Sequence, residues 1–364
     1  MKGKKNNPFL KVIAGANVAS ILAMIVVGYS YYINPESFPK LSTVGLFFPF
    51  FILINLAFLV FWFFVKKRYL LISIVGFLIC ASPVRTYCPL NITSAIPDDA
   101  IKIISYNSLM FGHNEVDEDG DCIVTKYLNN SDADIICMQE SHGTIYPFEN
   151  LKRELGNYKY FSGDFEECKE SSDLFLISKH PIIKIEKVLV ESKKETAVAF
   201  WIKKDSDTLL VVNTHLESYS FSDDEKEEYR EMLRDIRDRN IEHDNITEES
   251  KFLVGKLSGA TSVRSEQARK IADFISKHKD EKLILCGDFN DNPISYAHHT
   301  IASGLTDCFV AAGNGLGISY NEKGFYVRID NILCSESLKP YACKVDDKIT
   351  VSDHFPMVCW LKKD

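Results

Sequence analysis

Apolar residues crowd the chain before residue 90 and are spaced out after it. Val12–Tyr29 and Gly45–Val65 are each long enough to span a bilayer. Tyr69–Ser82 reaches that length only by borrowing residues up to Tyr87. Beyond residue 100 the apolar runs become short and β-branched. Ile101–Ser105, Ile135–Met138, Leu174–Ser178, Ala197–Ile202, Leu209–Asn213, Leu283–Cys286 and Ile329–Leu333 predict strands. Helical spacing appears at Asp121–Asn129 and at Arg264–His278, where Ile271, Phe274 and Ile275 share a face and Ser262 is a candidate cap. Ser222–Lys256 is dense in both acids and bases and reads as a helical insertion, either a solvated face or a lid. The expected organisation is an anchor of three transmembrane helices over 1–87, a linker over 88–99 and an α/β (α+β) domain over 100–364 carrying the 222–256 insertion.

Charge divides the chain at the same place. The first 97 residues carry nine Lys/Arg and one acid, a net +8, which leaves −16 on the remainder. So acidic a domain is unsuited to holding nucleic acid on a broad basic surface, although a bound metal ion can supply local positive charge. Lys2, Lys4 and Lys5 open the chain, and Lys66, Lys67 and Arg68 sit between the second and third apolar stretches. The loop between the first two stretches holds only Lys40, against Glu36. Positive charge stays on the cytoplasmic side, so three spans put the large domain on the extracytoplasmic side. A third stretch that merely dipped into the bilayer would reverse this. No small-x-small cleavage site follows the first stretch, which favours a retained anchor over a signal peptide. The ten cysteines form no CxxC pair, and Cys137 and Cys286 lie in strand-like runs as small core hydrophobes.

Six short motifs place polar chemistry at or near the ends of apolar runs. They are SYN (Ser105–Asn107), MQE (Met138–Glu140), NTHL (Asn213–Leu216), GDFN (Gly287–Asn290), RIDN (Arg328–Asn331) and SDH (Ser352–His354). Glu140 suits a metal ligand, or is an ordinary strand-end carboxylate. Asp288 and Asn290 could hold water and phosphate together, or form an Asx turn. Asp330 could orient a histidine, and His215 could donate to a phosphate oxygen or be a satisfied core residue. Hydrolysis of a phosphodiester needs these parts: charge to neutralise phosphate oxygens, a base for water, and donors for the transition state.

In this order the motifs resemble the endonuclease/exonuclease/phosphatase superfamily over about Ile101 to Leu361. The resemblance implies a four-layer sandwich of two mixed β-sheets packed face to face and flanked by helices. It implies that Glu140 binds Mg2+ or Mn2+, with Asn107 beside it and Asp353 close to the metal or leaving group. Asp288 would orient or activate water, Asn290 and His215 would contact the scissile phosphate, and Asp330 would pair with His354. Asn107, Asn290 and His215 are thus the expected substrate contacts. Asp173–Ile182 (DLFLISKHPI) and the Arg264/Gln267 spacing also fit. Leu109 stands where apurinic endonucleases carry an acid, which argues against that branch.

The expected function is a membrane-anchored, divalent-metal-dependent phosphoesterase cleaving phosphodiesters, with phosphomonoesters also open. Its partners would be the bilayer and a phosphate ester, phospholipid or nucleic acid, with no obligate protein partner evident. An extracytoplasmic nuclease is one alternative. A catalytically silent scaffold on the same fold is another, although no acid, amide or imidazole of the set is missing.

Overall fold

A computed structural model describes residues 8–141, 147–168, 173–191, 194–219, 243–322 and 325–363. Two helical segments, Pro8–Gly28 and Pro39–Val65, are long and apolar enough to cross a membrane. A third crossing exists if the bent pair Lys67–Ile79 and Ala81–Tyr87 counts as one span. These helices are α1 (Pro8–Gly28), a single turn α2 (Pro39–Ser42), α3 (Phe48–Val65), α4 (Lys67–Ile79) and α5 (Ala81–Tyr87). They fit a membrane anchor.

Lipid provides little hydrophobic drive for helices to associate, so close packing and hydrogen bonds must do it. Gly76 of α4 lets α1 approach, since a Cβ there would lie 2.7 Å from Ile21 Cγ1. At the centre Asn17 Oδ1 accepts from Trp62 Nε1 and from Ser73 Oγ, each at 3.0 Å, while Asn17 Nδ2 donates to Asn55 Oδ1 at 3.3 Å. One polar cluster therefore joins α1, α3 and α4. The α4–α5 pair bends by 67° where the two helices meet. Pro83 has no N–H for the carbonyl four residues back, at Ile79. Tyr29 Oη donates to that carbonyl instead, at 2.6 Å.

The large domain has the expected four layers. One sheet has the order β13-β14-β1-β2-β4-β3 and the other β5-β6-β7-β8-β12-β9, with β3 at Tyr160–Phe161, β5 at Ile182–Glu191, β9 at Thr306–Asp307, β13 at Leu338–Val345 and β14 at Met357–Lys363. Their central strands are β1 (Ile101–Asn107), β2 (Ile135–Gln139) and β4 (Phe175–Ser178) in the first, with β6 (Lys194–Lys204), β7 (Asp207–His215), β8 (Lys282–Asp288) and β12 (Asp330–Cys334) in the second. β1 and β2 are parallel, as are β7 and β8, and the other neighbours run antiparallel. Strands covered on both faces need apolar residues at every position, which explains their unbroken apolar runs. Ile103, Cys137, Val211, Ile284 and Cys286 point into the space between the sheets. Ile104, Ile136, Val124 and Leu128 form the layer outside the first sheet. Leu210, Val212, Ile271 and Phe274 form the one outside the second.

The strands β5 (Ile182–Glu191), β13 (Leu338–Val345) and β14 (Met357–Lys363) were not signalled by the sequence pattern. β5 and β13 are edge strands whose exposed faces break the apolar run. The helix expected from Arg264 instead begins at His243 and continues to Lys277, so Ser262 lies mid-helix and its hydroxyl bonds the Ser258 carbonyl at 3.1 Å. Nothing in the sequence stops this helix between the insertion and the amphipathic part. The expected insertion at 222–256 lies outside the described residues over 222–242.

Below the site a buried amide ties the two sheets. Asn213 on β7 donates to the carbonyls of Met138 and Phe175 in the opposite sheet, at 2.9 and 3.2 Å, and accepts from Gln139 Nε2 at 2.6 Å. Asn213→Leu leaves these partners buried and unmet, at about 1–3 kcal/mol each. We expect the full chain in detergent to lose about 3 kcal/mol or more in denaturant unfolding. A loss below about 1 kcal/mol would contradict the tie.

Candidate active site

Register brings the motif ends together. In the parallel pairs Asn107 lies opposite Gln139, which precedes Glu140, and His215 lies opposite Asp288. In the antiparallel pair Asp330 lies opposite Asp288. Six of the expected residues, Asn107, Glu140, His215, Asp288, Asp330 and His354, therefore meet at one end of the sandwich.

Their contacts are specific. Asn107 Nδ2 donates to Glu140 Oε1 at 3.0 Å and to Asp288 Oδ2 at 3.1 Å. His215 Nε2 lies 3.6 Å from Glu140 Oε1 and 3.7 Å from Asp288 Oδ2. Asp288 Oδ1 accepts from the Asn290 backbone N–H at 2.8 Å. His354 Nδ1 bonds Asp330 Oδ2 at 2.9 Å, which turns Nε2 toward Asp288 Oδ2 at 3.6 Å. The Tyr320 ring packs on the His354 ring with centroids 4.9 Å apart.

Two residues depart from the expected placement. The Asn290 side-chain amide donates to the Leu216 carbonyl at 3.0 Å, so in this arrangement it braces the loop after His215. Asp353 is partly exposed, and its carboxylate lies 3.5 Å from Ser352 Oγ. No contact from it to Glu140 or Asp288 is present among the described residues. Its neighbour Ser352 accepts from His354 N at 3.1 Å and donates to the Asn107 carbonyl at 2.9 Å, which links SDH to SYN.

The backbone is constrained here. Glu140 and Asn290 both have φ near +50°, a conformation that costs non-glycine residues free energy and concentrates at functional sites. Gly287 has φ +144°, and a Cβ there would come 1.8 Å from the Thr214 carbonyl oxygen, so only glycine fits before Asp288. After Asn107 a turn over Leu109–Asn114 is left-handed throughout. Such a run costs about 1–2 kcal/mol per residue. It is held by Met110 N donating to the Glu140 carbonyl at 2.7 Å, and by Gly112, where a Cβ would meet Val351 at 2.8 Å. The turn thus joins all three loops that carry Asn107, Glu140 and His354.

Burial and neighbouring charge set the electrostatics. Burial pushes the Asp288 carboxyl up to about 7; His354 opposes this and Asp330 adds to it. For His354 burial acts downward, but Asp330 and Asp288 outweigh it and take the imidazole up to about 10. Three carboxylates and one imidazolium in a buried pocket leave unneutralised negative charge. An oxygen-rich anionic pocket of this kind fits a hard divalent cation. Asp288, Asp330 and His354 offer ligand atoms all within 4.8 Å of one another. Coordination by Asp330 and His354 together would compete with their mutual hydrogen bond, whereas Glu140 is already partly open to solvent.

Ser319 carried no motif signal, yet its Oγ accepts from both Ile329 N and Asp330 N at 3.1 Å; within the motifs, Gln139 of MQE orders Asn213 of NTHL. Arg264 and Gln267 are structural here. Arg264 bonds Asp291 at 3.2 Å and the Glu217 carbonyl at 2.8 Å, and Gln267 accepts from Glu217 N at 2.9 Å.

Fold and site together define a class, a phosphoesterase or nuclease sandwich with an Asp–His pair beside clustered carboxylates. The profile of the endonuclease/exonuclease/phosphatase family matches residues 104–354, and the chain belongs to that family. Residues 10–87 match a separate domain of unknown function. Among solved structures, the human Nocturnin catalytic domain with bound sulfate anion is similar at 17% identity. That likeness covers 74% of this chain and 97% of that one, with a TM-score of 0.50. A family protein from Bacteroides thetaiotaomicron is also 17% identical, over 73% and 98% of the two chains, with a TM-score of 0.48. An AP endonuclease from Archaeoglobus fulgidus is 17% identical, over 72% and 99%, with a TM-score of 0.48. No curated protein matches the chain significantly.

The Asp330 charge is what the His354 imidazolium most depends on. With its titration midpoint near 10, stability linked to that proton is fully present below pH ~6.5 and lost as pH rises through ~10. Asp330→Asn should lower the midpoint toward the ordinary histidine value. NMR titration of chelator-treated protein checks it, and an unchanged midpoint would contradict the pairing.

Proposed function

We propose that this chain is a membrane-anchored, divalent-metal-dependent phosphoesterase acting on phosphodiesters of lipid head groups at the bilayer surface. One observation carries the substrate class. Ile294, four residues beyond Asn290, is buried in the anchor among Met24, Val27, Phe48 and Cys80. Four residues reach at most about 14 Å. The site therefore stands close to the span ends, near the head-group layer, which is about 5–7 Å deep on each face. A lipid phosphate is already at that height. A bulky duplex would have to enter beside the membrane and against the domain's −16 charge.

The same contacts support an orientation. The loop after α1 and the end of α5 both touch the large domain, through Pro35 to Ser262, Glu36 to Arg269 and Thr86 to Arg328. The Lys66–Arg68 turn is then at the far end of the bundle, and the positive-inside rule supports placing that end in the cytoplasm and the domain on the extracytoplasmic side. In this reading 1–87 is the anchor, 88–99 the connection and 100–364 the catalytic domain.

Glu140 with Asn107 would hold Mg2+ or Mn2+, with Asp353 as a further candidate ligand from the partly exposed edge of the site, and the metal would supply positive charge to phosphoryl oxygens. Asp288 is the base for water. Its carboxylate is held by the Asn290 N–H and the Asn107 amide, and its raised affinity for protons suits that task near neutral pH. His354, kept protonated by Asp330, stabilises negative charge on the phosphorane and can protonate the leaving oxygen. His215 faces the same space and supplies a further donor.

The test uses the full chain in lipid nanodiscs. Its panel is sphingomyelin, glycerophospholipids, single- and double-stranded DNA, RNA and soluble inositol phosphates, each with Mg2+, with Mn2+ and with chelator. We expect turnover of a lipid phosphodiester, abolished by chelator and reduced about 100-fold or more by Asp288→Ala or His354→Ala. Faster turnover of a nucleic acid would overturn the substrate class. Metal binding without any turnover would favour the silent scaffold.

A further inference from the structure

Arg328 opens the RIDN motif, yet it does not face the candidate site. It is 2% exposed, one of the largest fully buried side chains. Nη2 donates to the Thr86 carbonyl, Nη1 to the Leu316 carbonyl at 3.2 Å, and the guanidinium lies over the Phe309 ring at 4.4 Å. It makes no ion pair among the described residues. A buried guanidinium is costly unless its donors are met, so the acceptors it does have matter. Thr86 lies in the last turn of α5, where helix carbonyls lack partners of their own. Arg328 Nη2 therefore meets a helix-end carbonyl of the anchor, while its Nε has no hydrogen-bond partner among the described residues.

The chain leaving the anchor is fixed in the same place. Asn91 Nδ2 donates to the Val310 and Gly313 carbonyls at 3.0 and 2.6 Å, and Gly315 N donates to the Pro89 carbonyl at 2.9 Å. On the other side of Arg328, Ile329 and Asp330 rest on Ser319 Oγ, and Asp330 holds His354. Arg328 lies two residues from Asp330, a reach of about 7 Å. The stretch before β12 is thus held at one end by the anchor and at the other by the site.

We infer that Arg328 is a positioning residue that latches the anchor to the Asp330–His354 pair, so that the membrane segment takes part in assembling the active site. The inference rests on the proposed phosphoesterase reading. A catalytic domain cut free of its anchor would expose the guanidinium to water and release the segment leading into Asp330. Small displacements of positioned groups cost catalysis heavily.

The test compares Arg328→Gln, Arg328→Lys and Asp330→Asn, with the Arg328→Gln/Asp330→Asn double variant, as full chains in nanodiscs. Arg328→Gln should lower kcat about tenfold or more while KM stays within about twofold. Arg328→Lys, which keeps a donor for Thr86, should recover part of it. The double variant should be no slower than Asp330→Asn alone, because both changes act through one pair. A kcat for Arg328→Gln within twofold of wild type, or losses that multiply in the double variant, would overturn the latch. Hydrogen exchange provides a readout independent of turnover. Arg328→Gln should speed exchange in a peptide covering Ile329–Cys334 while the β7 and β8 peptides stay protected. If the wild type hydrolyses nothing, the phosphoesterase reading fails and exchange alone decides the latch. Unchanged exchange in β12, or a uniform rise across the domain, overturns it.

Discussion

A carboxylate buried at the seam of two sheets is expensive, and the contacts around Asp288 offset that expense. The Asn107 amide and the Asn290 N–H bond it, His354 lies beside it, and Gly287 lets the chain turn into it without striking Thr214. Each donor is supplied by a different strand end. The sheets must therefore be in register for the charge to be tolerated at all. Asn213 enforces that register from below, bonding across to Met138 and Phe175. The left-handed turn after Asn107 fixes the loops of the first sheet against each other, through Met110 and the Glu140 carbonyl. Strain in that turn and at Glu140 persists because the loops after β1 and β2 and the loop before β14 hold it together.

The anchor enters the same chain of dependence. Its helices are tied by Asn17, Asn55, Trp62 and Ser73, and its outer ends receive Ile294 from the loop after GDFN and Arg328 from the segment before β12. These two segments run directly into Asn290 and Asp330. An anchor that only tethered the domain would have no reason to be buried against both. On the proposed function, this arrangement suits an enzyme whose substrate is itself confined to the membrane surface.

Much of this was legible in the amino-acid order. Central strands such as β2 and β8 are buried on both faces, so their apolar runs are unbroken and end abruptly at Glu140 and Asp288. Each such polar group alone has ordinary structural uses, so it was the number and order of the motifs that stood out. Edge strands β5 and β13 were illegible because their exposed faces mix charge into the run. The roles of Ser319, Ser352 and Arg328 depend on backbone carbonyls and N–H groups far away in sequence, which residue type and spacing do not encode. Asn290 looked like a phosphate contact by position, yet its side-chain amide turns to the Leu216 carbonyl. The bend at Cys80 follows from Pro83, but the partner for the freed Ile79 carbonyl, Tyr29, lies fifty residues away.

The height of the site above the bilayer is the most direct measurement. A spin label at Leu316, exposed on the segment that leads to the Tyr320–His354 contact, reports it through oxygen and nickel-chelate accessibility in nanodiscs. The label should show a depth profile of the head-group region, within about 15 Å of the phosphate plane. Accessibility equal to that of a label in bulk water would contradict it, and would describe a domain carried free of the membrane on a tether.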